Sequence, residues 1–292
     1  SAFISTLKPD AEGKYTLYLQ CGFDKEGADA EVYPVELKES YLATYCYYRD
    51  NGGTYRFRGE GNEKKLEKIE KEEPLALPDK TAYIALTEFT GNAAKEFKDC
   101  LELMKKNGCE NLILDLRGNG GGYMDVFVEI ASYLLKETTA GAQKVAYAKF
   151  KSGAIVSYST RKSYYNDYFG ANSKINVLAD ERTASASECL IGALVDYKTI
   201  GFSDIYLREN ENGVAKTYGK GIMQTHYDSP NGDILKLTSA EIFWPLSNKS
   251  IHDKGVLPSD GAHKIPSSLL PDKNDSFLQE AIRQIYGGNE TL

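Results

Sequence analysis

Three stretches of this sequence hold residues whose types and spacing can do chemistry. The first, "LDLRGNGGGY" from Leu114 to Tyr123, places four glycines between positions 118 and 122, after a short apolar segment and before an amphipathic one. As a nucleotide loop it fails. Counted from Gly118, the dinucleotide pattern needs glycine where Tyr123 stands; counted from Gly120, it needs glycine where Asp125 stands. Nor is there a Walker motif, because Lys220 is followed by Gly221 and not by Ser or Thr. The remaining uses are tight turning and close backbone approach. Consecutive backbone N–H groups at such a turn can hold an anion, which suits an oxyanion hole.

The second stretch, "ADERTASASECLIGALVDY" from Ala179 to Tyr197, puts Ser185 between an expected strand and an expected helix. A serine there is ordinarily only a helix cap, although a helix N-terminus also favours developing negative charge. Thr183 and Ser187 occupy the positions where G-x-S-x-G needs glycine, so no nucleophile elbow of the usual serine hydrolase is expected. The third stretch, "YGKGIMQ", holds Lys220 between two glycines with Gln224 four residues on; by itself it reads as exposed loop. A lysine can act as a general base only when it is neutral. An ordinary lysine titrates near about 10.4, so a base near neutrality requires its ammonium to be destabilised by about 4 kcal/mol. Desolvation is the lever, and a direct ion pair with Glu188 or Asp196 would oppose it.

The elements that must position these residues follow from periodicity. "AYIALTEF" reads as a strand. "NAAKEFKDCLELMKKNG" reads as a helix, with Phe97, Cys100, Leu101 and Met104 on one face and Gly108 as its stop. "NLILDL" and "KINVLA" read as strands and "YMDVFVEIASYLLKE" as a helix. Near the end, Ser276 and Gln279 are expected to cap a helix that buries Leu278, Ala281, Ile282 and Ile285. This alternation implies an α/β core over residues 76–292. Residues 1–75 read as a β-rich appendage containing "KYTLYLQ" and a hairpin turning near Asn51-Gly52. The charged stretch "NEKKLEKIEKEEP", running into Pro74 and Pro78, reads as a solvated helix or linker.

Composition removes several classes. The 292 residues are 41% hydrophobic and 26% charged, as in globular proteins. The formal net charge of -7 argues against a nucleic-acid partner. No apolar run approaches the roughly 18–20 residues that cross a bilayer. The first residues, "SAFISTLKPD", have neither initiator Met nor signal segment, as expected of a processed or trimmed chain. Cys21, Cys46, Cys100, Cys109 and Cys189 lack C-x-x-C spacing, and the odd count reads as packing thiols. His226, His252 and His263 have no metal-ligand spacing.

Taken in order, the three stretches resemble the C-terminal processing (tail-specific) peptidases, a family of serine peptidases. The likeness runs from about Tyr83 to Asp260: a "DLRxNxGG" match at Asp115–Gly122, "SASE" at Ser185–Glu188 with Asp196 at the helix end, "GKGxxQ" at Gly219–Gln224, and a "G-[IV]-x-P-x-[DY]" run at Gly255–Asp260. The resemblance implies Ser185 as nucleophile, Lys220 as general base, Gln224 as its support and Asp196 as structural support near the site. It further implies an oxyanion hole from the N–H of Ala186 and one from the Gly121–Gly122 turn. The fold implied is a Clp protease/crotonase-like ββα spiral, with the first 75 residues as a possible remnant of a PDZ-like domain that shows no GLGF-like loop. A polypeptide substrate, no metal or organic cofactor, and a bacterial location outside the cytoplasm are implied as well. Two departures stand out. The segment between Ser185 and Lys220 is about ten residues longer than is usual, carrying "YLRENENGVAKT", and Thr183 replaces a small residue. A non-catalytic peptide- or ligand-binding protein on the same core is the alternative, as is a hydrolase or acyl-transferase of non-peptide esters and amides.

Overall fold

The structure, a computed structural model, describes residues 15–21, 31–37, 44–59, 64–70, 76–136, 141–229, 231–266 and 275–287. Two compact units divide the chain: residues 1–43 with 227–235, and residues 44–226 with 236–292. In the first, β1 (Tyr15–Cys21) and β2 (Glu31–Leu37) pair antiparallel, Tyr15 opposite Leu37. Residues 1–14, Pro74 and the side chain of Cys21 lie outside the described residues.

The second unit is built on an eight-stranded sheet. Its strands are β3 (Cys46–Asp50), β4 (Gly53–Arg58), β5 (Lys65–Lys68), β6 (Thr81–Leu86), β7 (Asn111–Asp115), β10 (Ile175–Ala179), β11 (Ile205–Arg208) and β14 (His263–Ile265). They run in the order β14-β11-β10-β7-β6-β3-β4-β5. From β6 to β14 all neighbours are parallel, each pair needing a crossover, and β3–β5 extend the sheet antiparallel. The crossovers supply α1 (Ala93–Lys106) after β6, α2 (Met124–Leu134) and the short α3 (Tyr165–Tyr168) after β7, and α4 (Ala186–Asp196) after β10. A four-stranded sheet, in the order β12-β13-β8-β9, is made of β8 (Lys144–Phe150), β9 (Ile155–Ser159), β12 (Ile222–Asp228) and β13 (Ile234–Phe243).

The period-two pattern of the parallel strands sorts the core into two layers. Ile84, Leu112, Leu114 and Val177 join Phe97, Phe127 and Leu190 of the crossover helices. Tyr83, Ile113, Leu178 and Tyr206, the alternate residues, pack against Phe277, Leu278, Ala281 and Ile282 of α5 (Ser276–Tyr286). Cys46, Cys100, Cys109 and Cys189 are buried free thiols.

The hairpin expected at Asn51-Gly52 is β3–β4, with Asp50 opposite Gly53. Two expectations are corrected. Part of the charged stretch read as helix or linker is strand β5, because Leu66 packs on the core while Lys65 and Lys68 face solvent along the sheet edge. Strands β3, β4 and β5 therefore belong to the main sheet although they precede residue 76, where the core was expected to begin. The α5 cap is also displaced by one residue. Asp275, at φ 50°, accepts from the N–H of Leu278 at 3.2 Å, and the helix begins at Ser276.

Asp275 is fixed because it answers Arg117. That guanidinium forks to Asp115 (2.9 and 3.0 Å from Nε) and reaches Asp275 at 2.6 and 2.8 Å, over the ring of Phe277. Burial pushes the Asp275 carboxyl up, but its hydrogen bonds and charge contact with Arg117 outweigh this and hold it below the usual range. A depressed folded-state pKa contributes stability above the unfolded value that is lost as pH falls. Arg117→Ala is expected to lower the unfolding free energy by about 3 kcal/mol at pH 7. The gap from wild type should narrow below about pH 4, as read by denaturant melts at the two pH values.

Candidate active site

The strand order decides which loops meet. β7 lies between β6 and β10, so the glycine loop after β7 touches both Phe89, following β6, and the Ser185 turn, following β10. Open parallel sheets gather ligand-binding loops at their strand ends in this way. Phe89 donates its N–H to Gly121 O at 2.9 Å and accepts from Tyr123 N at 2.7 Å. Asn119, fully buried, holds the loop from inside: Nδ2 donates to Leu86 O, Oδ1 accepts from Gly121 N, and its carbonyl accepts from Ala184 N and the Ser187 hydroxyl.

Ser185 stands at φ 57°, ψ -116°, a conformation that costs a non-glycine residue about 1–3 kcal/mol. Its hydroxyl does not cap α4. The turn thus has the strain of a nucleophile elbow without the flanking glycines. Thr183 and Ser187, both fully buried, tether it to Leu116 O (2.8 Å) and Asn119 O (3.0 Å) instead. Room comes from across the gap: at Gly121 (φ 97°) a Cβ would sit 2.7 Å from Ser185 Cβ and 2.8 Å from Ala186 N.

Lys220 is brought to the same place by a buried carboxylate. Glu188, on the first turn of α4, accepts from Ser185 N (3.0 Å), Gly219 N (2.8 Å), Lys220 N (2.9 Å) and the Thr217 hydroxyl (2.5 Å). Burial pushes this carboxyl above the usual range, and the four donors act against that push. Thr217 Oγ1 also accepts from Val256 N at 2.7 Å, and Gly221 lies so close to His252 that a Cβ would be 2.6 Å from its N. The run 252–256 thereby backs the lysine loop.

Ser185, Lys220 and Gln224 line one pocket of about 510 Å³ with Gly120–Tyr123, Met124 and Met223. Glu88, His226 and Lys236 belong to its wall as well. Among the described residues Lys220 has no carboxylate within ion-pair distance, since Glu188 engages only its backbone; nor does a hydrogen bond join its ammonium to the Ser185 hydroxyl. The N–H groups of Ala186 and Gly122 have no acceptor within the described chain, whereas that of Gly121 is held by Asn119. Asp196 is not in the pocket. It closes the other end of α4, about 15 Å away by helix rise, accepting from Leu246 N (2.8 Å) and Ser247 N (2.9 Å).

Against this geometry, the profile of Peptidase family S41 matches residues 80–260. The chain belongs to peptidase family S41. It is 32% identical over 206 residues to a carboxyl-terminal-processing protease of Picosynechococcus sp., covering 69% of this chain and 44% of that protein. It is 30% identical to a probable CtpA-like serine protease of Staphylococcus aureus, covering 68% and 38%. The chain thus spans less than half the length of these curated relatives. Among solved structures, the photosystem II D1 C-terminal processing protease shares the fold with a TM-score of 0.54 at 23% identity, over 96% of this chain and 61% of that one. A putative S41 protease from Bacteroides fragilis does so with a TM-score of 0.56 at 16% identity, over 95% and 67%.

Within this S41 site, sequence reasoning missed the parts played by Asn119, Glu188 and Thr217. The S-x-x-E spacing of Ser185 and Glu188 was a usable signal. Nothing local marks Thr217, whose partners are 29 and 39 residues away. Gly121→Ala is expected to abolish reaction of Ser185 with a fluorophosphonate while the protein stays folded, read by labelling beside a thermal melt. Labelling within twofold of wild type would show that the close approach at Gly121 does not matter.

Proposed function

We propose that this chain is a serine endopeptidase of the C-terminal processing type, with Ser185 as nucleophile and Lys220 as general base. The observation that carries the reading is one pocket lined by Ser185 on a strained turn, by Lys220, which has no carboxylate partner among the described residues, and by Gly122, whose N–H has no acceptor among them. The Lys220 lone pair takes the Ser185 proton as Oγ attacks the peptide carbonyl carbon, forming the C–O bond. The N–H groups of Ala186 and Gly122 hold the resulting oxyanion, at a helix end of favourable dipole. Collapse breaks the C–N bond, the leaving amine takes the proton back from Lys220, and water hydrolyses the acyl-enzyme by the same route. Gln224, on β12, orients the lysine, and Asp196 supports the site indirectly through the far end of α4.

Supporting the wider reading, each pair of successive parallel strands β6–β7, β7–β10 and β10–β11 is joined through at least one helix, as in a ββα spiral. The β1–β2 pair is consistent with the remnant of a PDZ-like appendage. Among the described residues no helix is long and apolar enough to cross a membrane. The relatives, carboxyl-terminal-processing and CtpA-like serine proteases of bacteria, favour a polypeptide-processing enzyme, and a place outside the cytoplasm rests on the family resemblance alone.

The test is labelling of Ser185 by a fluorophosphonate from pH 6 to 10. Ser185→Ala and Lys220→Ala should abolish it. Lys220→Arg should fail equally, because guanidinium does not deprotonate; near-normal labelling in Lys220→Arg would sink the lysine-base mechanism. Gln224→Ala should lower the rate by about tenfold, and a wild-type rate would remove it from the site.

A further inference from the structure

A second groove opens beside the catalytic pocket. Its volume is about 560 Å³, and it lies between the exposed face of α2 and the strand β9 with the residues that follow it. On α2 its wall is Asp125, Val128, Glu129 and Ser132, the i, i+3, i+4, i+7 face of one helix. Opposite stand Ser157, Tyr158 and Ser159 of β9, then Arg161 and Lys162.

β9 is an edge strand, paired only with β8 among the described residues. The hairpin closes with Phe150 N–H donating to Ala154 O at 2.8 Å. The two-residue alternation of an antiparallel ladder then turns Val156 toward β8 and leaves Ile155 and Ser157 with outward N–H and C=O groups. The strand carries exposed apolar residues too: Ile155 is 61% and Val156 43% exposed. An unpaired edge alongside a concave wall is the geometry that captures extended polypeptide by strand addition.

The groove continues the catalytic pocket. Met124, the first residue of α2, lines the pocket, and Ser132, eight residues on, lines the groove. That separation is about 12 Å along the helix, the reach of three or four extended residues. Tyr158, which lines the groove, donates its hydroxyl to Sδ of Met223, which lines the pocket, at 3.2 Å. The two cavities therefore share a wall. The charges in the groove are split, with Asp125 and Glu129 on the helix side and Arg161 and Lys162 on the strand side. Lys162 lies over the Tyr164 ring at 4.8 Å.

We propose that this groove is a secondary substrate site, where a segment of the polypeptide several residues from the scissile bond pairs with β9 as an added strand. It rests on the peptidase reading given above. The basic side would draw acidic side chains of the bound segment.

The test measures binding without cleavage. Ser185→Ala chain is titrated into fluorescein-labelled, carboxymethylated α-lactalbumin, an acidic unfolded polypeptide, and anisotropy is read. Ser157→Pro, which removes one outward N–H and no ladder bond, is expected to weaken binding at least fivefold. The exposed double change Arg161→Glu, Lys162→Glu should do likewise, and it keeps the test available if the proline unfolds the edge. A dissociation constant unchanged in both variants, or no binding by the parent, overturns the proposal. Fluorophosphonate labelling of the Ser185 chain reports the catalytic reading separately, so failure of the groove and failure of the chemistry give different results.

Discussion

The site depends on one buried carboxylate that has no cation beside it among the described residues. Glu188 is fully buried, and its two oxygens receive three backbone N–H groups and one hydroxyl. A carboxylate taken out of water is tolerated only where hydrogen bonds replace hydration. Here those bonds come from both ends of a 35-residue separation, Ser185 at one and Lys220 at the other. Satisfying Glu188 therefore brings the Ser185 turn to the Lys220 loop. Glu188 engages Lys220 only through its backbone N–H, so among the described residues the side chain of Lys220 has no carboxylate within ion-pair distance.

The second constraint is steric. A serine at positive φ is strained, and it persists because Thr183, Ser187 and Asn119 over-determine the turn with buried hydrogen bonds. The glycine that relieves crowding is Gly121, on the neighbouring loop. The glycine cluster read as a source of oxyanion donors therefore has two parts: Gly121 gives space, and Gly122 keeps an N–H without an acceptor among the described residues.

Around these loops the sheet acts as a jig. Alternate residues of β6, β7 and β10 bury into two separate layers, so a one-residue slip would reverse both and is strongly resisted. The Asp115–Arg117–Asp275 cluster ties the root of the glycine loop to α5, coupling the far layer to the site through an ion network. Asp196 plays a comparable part at the other end of α4, fixing the chain beyond β13.

Much of this was legible in the sequence. Strands and helices from Thr81 onward follow local periodicity, whereas Ser185, Lys220 and the glycine loop are each weak signals alone and were singled out by the resemblance their ordered motifs carry. Local pattern failed where partners are distant. Lys65–Lys68 is a strand because β4 offers an edge, and the α5 cap is Asp275 because Arg117, 158 residues away, requires it. Asn119 and Thr217 look like ordinary loop residues until the fold surrounds them, and Asp196, expected as structural support near the site, sits at the far end of α4. The sequence by itself determined which groups are available for chemistry and which segments are rigid. Only the tertiary structure decided which groups meet, since burial and hydrogen-bond satisfaction are set by chain segments that sequence proximity does not connect.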